Sequence, residues 1–489
     1  MYHISDLKKY NRCPRILHLE KQGERVAFQR MVRLDDEVTA LAAKKLGVTE
    51  SFIGERGDDP NRALEALKQY EWLVKARFEY GGLRIKVPFL HRSSNGRFDL
   101  YFLFIGLFPH NDDMQFYCDT VWVLQHLKIR INDIYMIHLN HEYVRGDALE
   151  PEKLFIVTDY FYNRHNNPGK NVKEAIGASM KDVSLQIEAV RRCEGGPIPD
   201  PVRMPRCTGR QKCRYYQVCF PDEMVMPDNS ILTLIASQHR HQMSREGIQY
   251  LRDADISRIE GSRQQYAQIM ADKQGGLFFD ALAVKSWLKQ VKYPVTFLDF
   301  EWECFAIPPY KGMKPYDVLL FEYSIHILEA DGKVRHEVFL STHDDREDLA
   351  RSLIRDIPSE GSIIAYNAES AEMIRIRELA ALFPEMADEL LPMNDRMVDL
   401  QIPFVSGLVY DVRMKGSWTL KQIMSLLEEN SYRDLDIHQG MEAVFEWRHL
   451  DREEQNVDRE RIIEDLKAYC SMDSYSTLAV FRWLESMVS

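Results

Sequence analysis

The stretch FLDFEWE, residues 297–303, lies in a short apolar run and carries two carboxylates at alternate positions. An apolar run of this length is typical of a buried strand, where acidic residues are uncommon. Side chains two residues apart on a strand share a face, so Asp299 and Glu301 would lie side by side. Such a pair is costly to desolvate unless divalent cations lie between the carboxylates. An edge strand with a solvated acidic face is the alternative interpretation.

Size and composition indicate a globular protein of more than one domain. The chain of 489 residues is too long for one ordinary core, so we expect two or three domains. It shows neither an apolar leader nor a run of about eighteen apolar residues, so we expect no signal peptide, no membrane partner and a cytoplasmic location. The net charge of −12 argues against indiscriminate coating of nucleic acid but allows local basic surfaces.

A second buried carboxylate is predicted near the C-terminal end. The segment RIIEDLKAYCSMDSYSTLAVFRWL, residues 461–484, places Asp473 within an apolar stripe of helical period. A carboxylate on the buried face of a helix needs a partner, and a metal ion is the natural one. Tyr469 lies one turn earlier on the same face, where it either acts with Asp473 or merely packs.

The cysteines form another cluster of possible ligands. Cys207, Cys213 and Cys219 are evenly spaced, and clustering of this kind in a reducing compartment indicates metal or cluster ligation rather than disulfides. Structural zinc sites more often use CxxC pairs, which this wider spacing fits less well. A fourth ligand is needed, and Cys13 in the CPR turn is the candidate for an iron–sulfur site. Zinc and ordinary buried cysteines remain as alternatives.

Periodicity and turn residues divide the chain into three parts: an α+β region up to residue 222, a helical connector over 223–290 and an α/β region with a mixed sheet over 291–489. In the first part we predict strands over 74–80, 83–90, 98–107, 114–121, 134–143 and 153–160, and a helix over 171–193. In the last part we predict strands over 295–300, 317–327, 335–340 and 362–366, and helices over 346–356, 370–382, 418–427 and 459–486.

Six motifs together carry a family resemblance: SDLKKYNRCPR (5–15), CTGRQKCRYYQVC (207–219), YPVTFLDFEWECFAIPPYKGMKPYD (293–317), FEYSIH (321–326), GSWTLKQIMSLL (416–427) and AYCSMD (468–473). They resemble an uncharacterised bacterial family that fuses a RecB-like iron–sulfur domain, similar to CRISPR-associated exonucleases, to a DEDD-type exonuclease domain. The resemblance covers nearly the full length. It implies a PD-(D/E)XK nuclease-like domain over 1–222, a helical connector over 223–290 and an RNase H-like DEDD exonuclease domain over 291–489.

The N-terminal part departs from the pattern that the resemblance implies. Such nucleases hold a metal ion with an Asp on one strand and an ExK on the next. Pro88 stands where the Asp is expected, and Phe102 and Phe104 stand where the Glu and Lys are expected. Asp99 is nearby but lacks partners. We therefore predict a degenerate nuclease domain that serves in binding or scaffolding.

The resemblance also implies ligands and contacts for this domain. A 4Fe–4S cluster would be held by Cys13, Cys207, Cys213 and Cys219. Basic residues around the late cysteines would contact phosphates: Arg203, Arg206, Arg210, Lys212 and Arg214. Tyr215 and Tyr216 would be available to stack on bases.

In the C-terminal domain the resemblance assigns four acids from three motifs to two divalent cations. Asp299 and Glu301 match the first motif and Asp473 the last, with Tyr469 at the YxxxD spacing of the tyrosine subclass. The tyrosine would orient the attacking water.

The second motif pairs an Asn with an acid at the start of a helix. Asn367 matches the Asn. Glu372 lies one residue beyond the usual spacing and Glu369 lies too close, and we favour Glu372. Asp399 is predicted to support the site from a strand end.

We therefore expect a hydrolase, a 3′→5′ exonuclease that uses Mg²⁺ or Mn²⁺ and acts on DNA or RNA. One alternative is a non-catalytic nucleic-acid-binding or scaffolding protein of a repair or defence system, and the shifted second motif keeps it open. Another is that the N-terminal domain is the active nuclease, through an acid outside the aligned positions.

Overall fold

The computed structural model of the chain describes residues 1–23, 29–208, 213–221, 227–427, 432 and 435–489, and gives the backbone alone for 21, 22, 29–34, 205 and 208. The chain forms two compact units. Unit 1 comprises Met1–Val202, Arg206–Phe220 and Phe305–Asp317, and unit 2 comprises Arg203–Pro205, Pro221–Cys304 and Val318–Ser489. Both contain helices and sheets, so the protein is a mixed α/β protein. None of the described helices combines the length and the apolar character needed to cross a membrane.

Unit 1 is built on a seven-stranded sheet with the order β2-β3-β4-β5-β6-β7, in which β1 also pairs with β4, and on a separate β8-β9 pair. The strands are β1 Tyr2–His3, β2 Ser51–Ile53, β3 Trp72–Tyr80, β4 Leu83–Arg92, β5 Phe98–Phe104, β6 Ile131–Leu139, β7 Phe155–Thr158, β8 Tyr160–Tyr162 and β9 Pro168–Asn171. Gly81 and Gly82 adopt positive φ angles of 58° and 91° in the two-residue turn between the antiparallel strands β3 and β4, where such angles favour glycine.

The helices in the first 220 residues are α1 Ile4–Arg12, α2 Arg15–Gln22, α3 Gln29–Lys45, α4 Pro60–Gln69, α5 Met114–His126, α6 Pro151–Leu154, α7 Val172–Ser179, α8 Ser184–Gly195, α9 Pro205–Thr208 and α10 Tyr216–Cys219. Helix α4 begins at Pro60, because the Asp59 side chain accepts a hydrogen bond from the Asn61 N–H and Pro60 occupies the first turn.

Two predictions in this region are wrong. The strand predicted over 114–121 is helix α5, in which every residue from Tyr117 to Leu124 is buried. A segment that is buried on all sides loses the periodicity that separates helix from strand. Strands β5 and β6 are parallel, and a parallel pair needs a crossover connection, which α5 supplies. The single helix predicted over 171–193 is two helices, and Asn171 caps the first through the Glu174 N–H.

Unit 2 contains a five-stranded mixed sheet with the order β13-β12-β11-β14-β15 and a separate antiparallel pair, β10-β16. The strands are β10 Leu277–Phe279, β11 Val295–Cys304, β12 Val318–Leu328, β13 Val334–Leu340, β14 Ser362–Ala365, β15 Met397–Asp399 and β16 Val409–Asp411. The central strand β11 is antiparallel to β12 and parallel to β14. The segment predicted as a helical connector contributes β10, whose partner β16 belongs to the same unit.

The helices of unit 2 are α11 Arg240–Arg245, α12 Arg263–Lys273, α13 Ala281–Leu288, α14 Arg346–Asp356, α15 Glu372–Leu382, α16 Ala387–Asp395, α17 Ile402–Val405, α18 Leu420–Leu427, α19 Gly440–Asp451 and α20 Arg459–Val488. The two faces of the sheet are covered by different helices. Phe297 packs with residues of α13, α18 and α20, whereas Leu298 and Phe300 pack with residues of α14, α15 and α16. Odd-numbered residues of β11 up to Glu301 therefore face α20.

Candidate metal centre

The first pair of acids lies in the middle of the sheet, as the sequence predicts. Asp299 and Glu301 are both on β11, where they pair in register with Ser324 and Glu322 of β12. Alternate residues of a strand share a face, so both carboxylates project toward α20. The register shifts between Glu301 and Trp302, and this irregularity ends the alternation directly after the second acid. The two carboxylates are therefore the last side chains of the α20 face before the strand changes its register.

Helix α20 brings the third acid to this face. Asp473 and Tyr469 are buried, with 8% and 3% of their surfaces exposed. Carboxylate oxygens of Asp299, Glu301 and Asp473 lie within 4.8 Å of one another. Among the described residues this is the only such group of three acids, histidines or cysteines. Oxygen ligands lie about 2.1 Å from Mg²⁺, so opposite ligands are about 4.2 Å apart, and the three carboxylates have the spacing of a single-cation site.

Glu372, the acid of the second motif, lies beside the group of three acids and not within it. Glu372 is the first residue of α15 and is buried, whereas Glu369 is exposed. In the part of the chain that the structure describes, the Glu372 Oε2 has no hydrogen-bond partner. Glu372 is outside the group of three acids, although its charge raises the pKa of Asp299. The structure therefore favours Glu372 over Glu369 as the nearby acid and leaves it at the edge of the cluster.

Asn367 and Asp399 shape the turn that leads into α15. Asn367 has a left-handed backbone, with φ of 64°, and is exposed. The Asp399 Oδ1 accepts hydrogen bonds from the Asn367 N–H, at 2.9 Å, and from the Gln401 N–H, at 2.8 Å. Asp399 thus holds the ends of β14 and β15 together, which agrees with a supporting role and not with a ligand of the three-acid group.

Burial and mutual repulsion raise the pKa values of these acids. Desolvation, followed by the charges of Asp473 and Glu301, raises the pKa of Asp299 well above its usual range. Desolvation and the charge of Asp473 do the same to the pKa of Glu301. Desolvation also raises the pKa of Asp473, although a hydrogen bond from Tyr432 and the charge of Lys421 both lower it. Desolvation raises the pKa of Glu372 to about 8. A bound divalent cation would stabilise the ionised form of every one of these acids.

A lysine and two tyrosines form one wall of the centre. Lys421 Nζ donates hydrogen bonds to the Tyr469 hydroxyl, at 2.8 Å, and to the His438 carbonyl, at 2.7 Å. Tyr432 donates a hydrogen bond to Asp473 Oδ1 at 2.5 Å, and its oxygen lies 2.9 Å from the Ser476 hydroxyl. The lysine ammonium also lies 4.5 Å and 4.9 Å from the ring centroids of Tyr469 and Tyr432. This wall fixes the orientation of Asp473 and Tyr469.

Sequence reasoning missed Tyr432 and Glu322. Tyr432 lies outside every predicted strand or helix, at no regular spacing from the acids, and only the folded chain brings it to Asp473. Glu322 could have been found, because it is an acid inside the apolar run VLLFEYSIHIL of β12. The argument from an isolated acid in a buried strand, which identified Asp299, applies to it equally.

The Tyr432→Phe variant should bind Mn²⁺ about 10-fold more weakly than the wild type, since outer partners of metal ligands typically contribute 10- to 100-fold to metal affinity. Titration calorimetry measures the effect. Tyr293→Phe is the matched control, because the Tyr293 hydroxyl also donates to a carboxylate, that of Glu485 at 2.9 Å, away from the acids. Equal Mn²⁺ affinity in Tyr432→Phe and the wild type would show that the phenol does not support the centre.

The cysteine segments of unit 1 lie next to each other. Arg15, in the turn after Cys13, donates from Nε to Cys219 Sγ at 3.3 Å, and the Cys213 N–H donates to the Cys207 carbonyl at 3.0 Å. The structure therefore brings the early and late segments together, as a shared ligand set requires. Among the described residues, no three thiols lie within the 4.8 Å of a single-ion site, so the spacing of a zinc centre is not preformed.

Cys193 is a further thiol of this region that the sequence did not single out. Its Sγ lies 3.6 Å from His18 Nε2. Burial raises the pKa of Cys193, and the neighbouring Cys13 adds to that effect. Cys193 is thus close to the predicted fourth ligand.

The predicted phosphate-binding residues are only partly described. Arg210 and Lys212 lie outside the described residues. Arg206 donates to the Asn11 carbonyl at 3.4 Å, and Arg214 forms an ion pair with Glu20. Tyr215 is half-buried, but Tyr216 is buried, so the prediction that both tyrosines are available to stack on bases is wrong for Tyr216.

In the described part of the chain, the residues at the expected N-terminal metal site do not form a cluster of acids. Phe102 is buried in the core of unit 1, and Pro88 lies within β4. The Asp99 carboxylate accepts hydrogen bonds from the Ser93 hydroxyl at 2.6 Å and from the Asn132 amide at 2.9 Å. Asp99 is therefore engaged by its neighbours in the sheet.

Comparison with known proteins gives one match. A family model described as "Domain of unknown function (DUF2779)" matches residues 296–419. The matched segment contains β11 except its first residue, and all of β12 and α15, and therefore Asp299, Glu301 and Glu372. It ends before α20, which carries Asp473. No curated protein matches the chain. No solved structure matches it either.

Proposed function

We propose that the protein is a metal-dependent 3′→5′ exonuclease, acting on DNA or RNA, whose phosphodiester hydrolysis takes place at the acids of unit 2. The observation that carries this proposal is the group of three carboxylates, Asp299, Glu301 and Asp473, within 4.8 Å of one another. These are three of the four acids that the family resemblance assigns to the DEDD site. The mixed sheet, with the first two acids on its central strand, supports an RNase H-like domain.

The residues present fit Mg²⁺ or Mn²⁺, because carboxylate oxygens are the ligands that these ions prefer. Asp299, Glu301 and Asp473 would hold one cation, and Glu372, with its unpartnered Oε2, would help to hold a second. Bound divalent cations supply Lewis acidity, which lowers the pKa of water and stabilises the leaving oxygen. Asp299 and Glu301 are partly exposed and Asp473 is buried, so the carboxylates are shielded enough to strengthen their interaction with a cation and remain open to a water molecule.

Tyr469 is the residue proposed to orient the attacking water. Lys421 donates to the Tyr469 oxygen, so the phenol keeps its own proton for donation. Asp473 accepts a hydrogen bond from this hydroxyl, and the contact partly opposes the rise in the pKa of Asp473 that burial causes. The hydroxyl thus points along a fixed direction between Lys421 and the acids, as an orienting group requires.

Unit 1 is proposed to bind nucleic acid and to carry a 4Fe–4S cluster on Cys13, Cys207, Cys213 and Cys219. The proximity of the early and late cysteine segments supports this ligand set. Iron and sulfide analysis of protein purified without oxygen tests it, and a chain free of iron would contradict it.

The experiment that tests the proposed function uses end-labelled single-stranded DNA and RNA with Mg²⁺, Mn²⁺ or chelator. The proposal predicts stepwise shortening from the 3′ end that requires the metal, and loss of that shortening in Asp299→Ala. Undiminished activity in Asp299→Ala would contradict it. Binding of nucleic acid without cleavage in any metal would instead support a scaffolding protein.

A further inference from the structure

Glu322 is a carboxylate that the proposed mechanism does not use. It lies in the middle of β12, its side chain is fully buried at 0% exposure, and neither carboxylate oxygen has a hydrogen-bond partner among the described residues. Burial of an unpaired carboxylate costs several kcal/mol, so buried acids are normally paired, hydrogen-bonded or bound to a metal. A side chain with four unused lone-pair sites inside a sheet therefore requires an explanation.

Its neighbours on the same face of β12 are satisfied. Ser324 is within hydrogen-bond distance of the Ser474 hydroxyl, at 2.8 Å, and of His336 Nε2, at 2.9 Å. His326 Nδ1 lies 2.9 Å from the Ser474 hydroxyl. Glu322 is the residue of this row whose polar atoms are left without partners. In this row of β12 side chains, the missing hydrogen-bond partners are therefore those of the residue opposite Glu301.

Glu322 is directed into the acid cluster. It pairs directly with Glu301 in the antiparallel ladder, and directly opposed residues share a face with Cβ atoms about 5 Å apart. Its charge raises the pKa of Glu301 more than the charge of Glu372 does. It is also the charge that most raises the pKa of Cys470, whose Sγ lies 3.5 Å from Asp299 Oδ2. Glu322 thus lies beside the three-acid group, on its β12 side.

The charged and titratable groups that face Glu322 are Glu301 from β11 and Cys470 and Lys467 from α20. Burial raises the pKa of Glu322 well above its usual range, and Lys467 is the cation that opposes this. Lys467 makes no hydrogen bond to either carboxylate oxygen. The lysine therefore leaves the oxygens of Glu322 unpartnered.

We propose that Glu322 is a fifth acid of the metal centre and that it supplies, together with Glu301, oxygen ligands for a further divalent cation, in addition to the two cations of the proposed mechanism. The inference rests on the proposed function, because it requires that the three-acid group binds metal. A cation at this position would use the free oxygens of Glu322 and would relieve the repulsion between two opposed carboxylates. The position is distinct from the one beside Glu372, which lies at the start of α15.

The test is a Mn²⁺ titration of the full chain by calorimetry, with the number of bound ions counted by the loss of the electron paramagnetic resonance signal of free Mn²⁺. Glu322→Gln keeps the size of the side chain and removes its charge. We expect it to lose one bound Mn²⁺, or to bind that ion at least about 10-fold more weakly. Glu372→Gln is the comparison variant. Lys467→Met removes the cation that faces Glu322, and this control variant should bind Mn²⁺ like the wild type.

The outcomes separate this inference from the proposed function. Loss of Mn²⁺ in Asp473→Asn together with unchanged affinity and number of ions in Glu322→Gln would overturn the role of Glu322 alone. A wild-type chain that binds no Mn²⁺ would overturn both. Glu322→Asp keeps the charge on a shorter side chain and should weaken Mn²⁺ binding less than Glu322→Gln does. This variant replaces Glu322→Gln in the test if Glu322→Gln does not fold. Wild-type Mn²⁺ binding by Glu322→Asp would then overturn the role of Glu322 as a ligand.

Discussion

Replacing Asp473 by Asn should lower the rate of metal-dependent phosphodiester cleavage by about 100-fold or more, since even outer partners of metal ligands contribute 10- to 100-fold. Asn keeps the size of Asp and can still accept the hydrogen bond from Tyr432. It replaces one of the three carboxylates that lie within 4.8 Å of one another by a neutral amide. The rate of release of the end label, measured at saturating Mg²⁺ or Mn²⁺, gives the effect.

Asp465→Asn is the matched control for this variant. Asp465 lies on the same helix, outside the acid group, and its carboxylate is 3.6 Å from Arg461. It should cleave at the wild-type rate. The unfolding temperature of Asp473→Asn in chelator should be at least that of the wild type, because the substitution removes a buried charge. Wild-type cleavage by Asp473→Asn would place the chemistry elsewhere in the chain.

Without divalent cations, the stability of unit 2 should fall as the pH rises from about 5 to about 8. Burial raises the pKa of Glu372 from 4.5 in the unfolded chain to about 8. In this interval the folded state holds a proton that the unfolded state has released, so the unfolded state is favoured as the pH increases. The stabilising contribution is complete below pH 4.5 and is lost as the pH passes through 8.

A shift of this size corresponds to about 5 kcal/mol in the free energy of unfolding over the whole interval. Glu372→Gln should flatten the pH dependence by that amount. Glu369→Gln is the matched control, because Glu369 is an exposed acid in the turn before α15, and this variant should leave the pH dependence unchanged. Saturating Mn²⁺ should reverse the loss at pH 8, because it binds the ionised acids. Scanning calorimetry in chelator and in Mn²⁺ at several pH values measures this. Identical pH profiles for Glu372→Gln and the wild type would contradict the assignment.

The sequence predicts much of unit 2 because its patterns are strong. The period of two in FLDFEWE places Asp299 and Glu301 on one face, and the helical stripe around Asp473 predicts α20, which begins at Arg459 as expected. In unit 1 the middle of helix α5 is buried on all sides, and the sequence mistakes it for a strand because periodicity is lost there.

The contacts between distant residues of the site could not be predicted in the same way. Periodicity assigns a side chain to a face but does not say which face of another element it meets. Tyr432 contacts Asp473 but lies outside every predicted helix and strand, and no sequence pattern marks it. The hydrogen bonds of Asp399 to the turn at Asn367 likewise depend on the parallel pairing of β14 and β15. These are properties of the folded chain.

The most direct test of the account is a crystal structure of the full chain grown with Mn²⁺, with anomalous differences measured at the manganese edge. The account predicts an anomalous peak about 2.2 Å from carboxylate oxygens of Asp299, Glu301 and Asp473. An ordered acid cluster with no anomalous peak in Mn²⁺-saturated crystals would contradict the claim that these three residues form a metal centre.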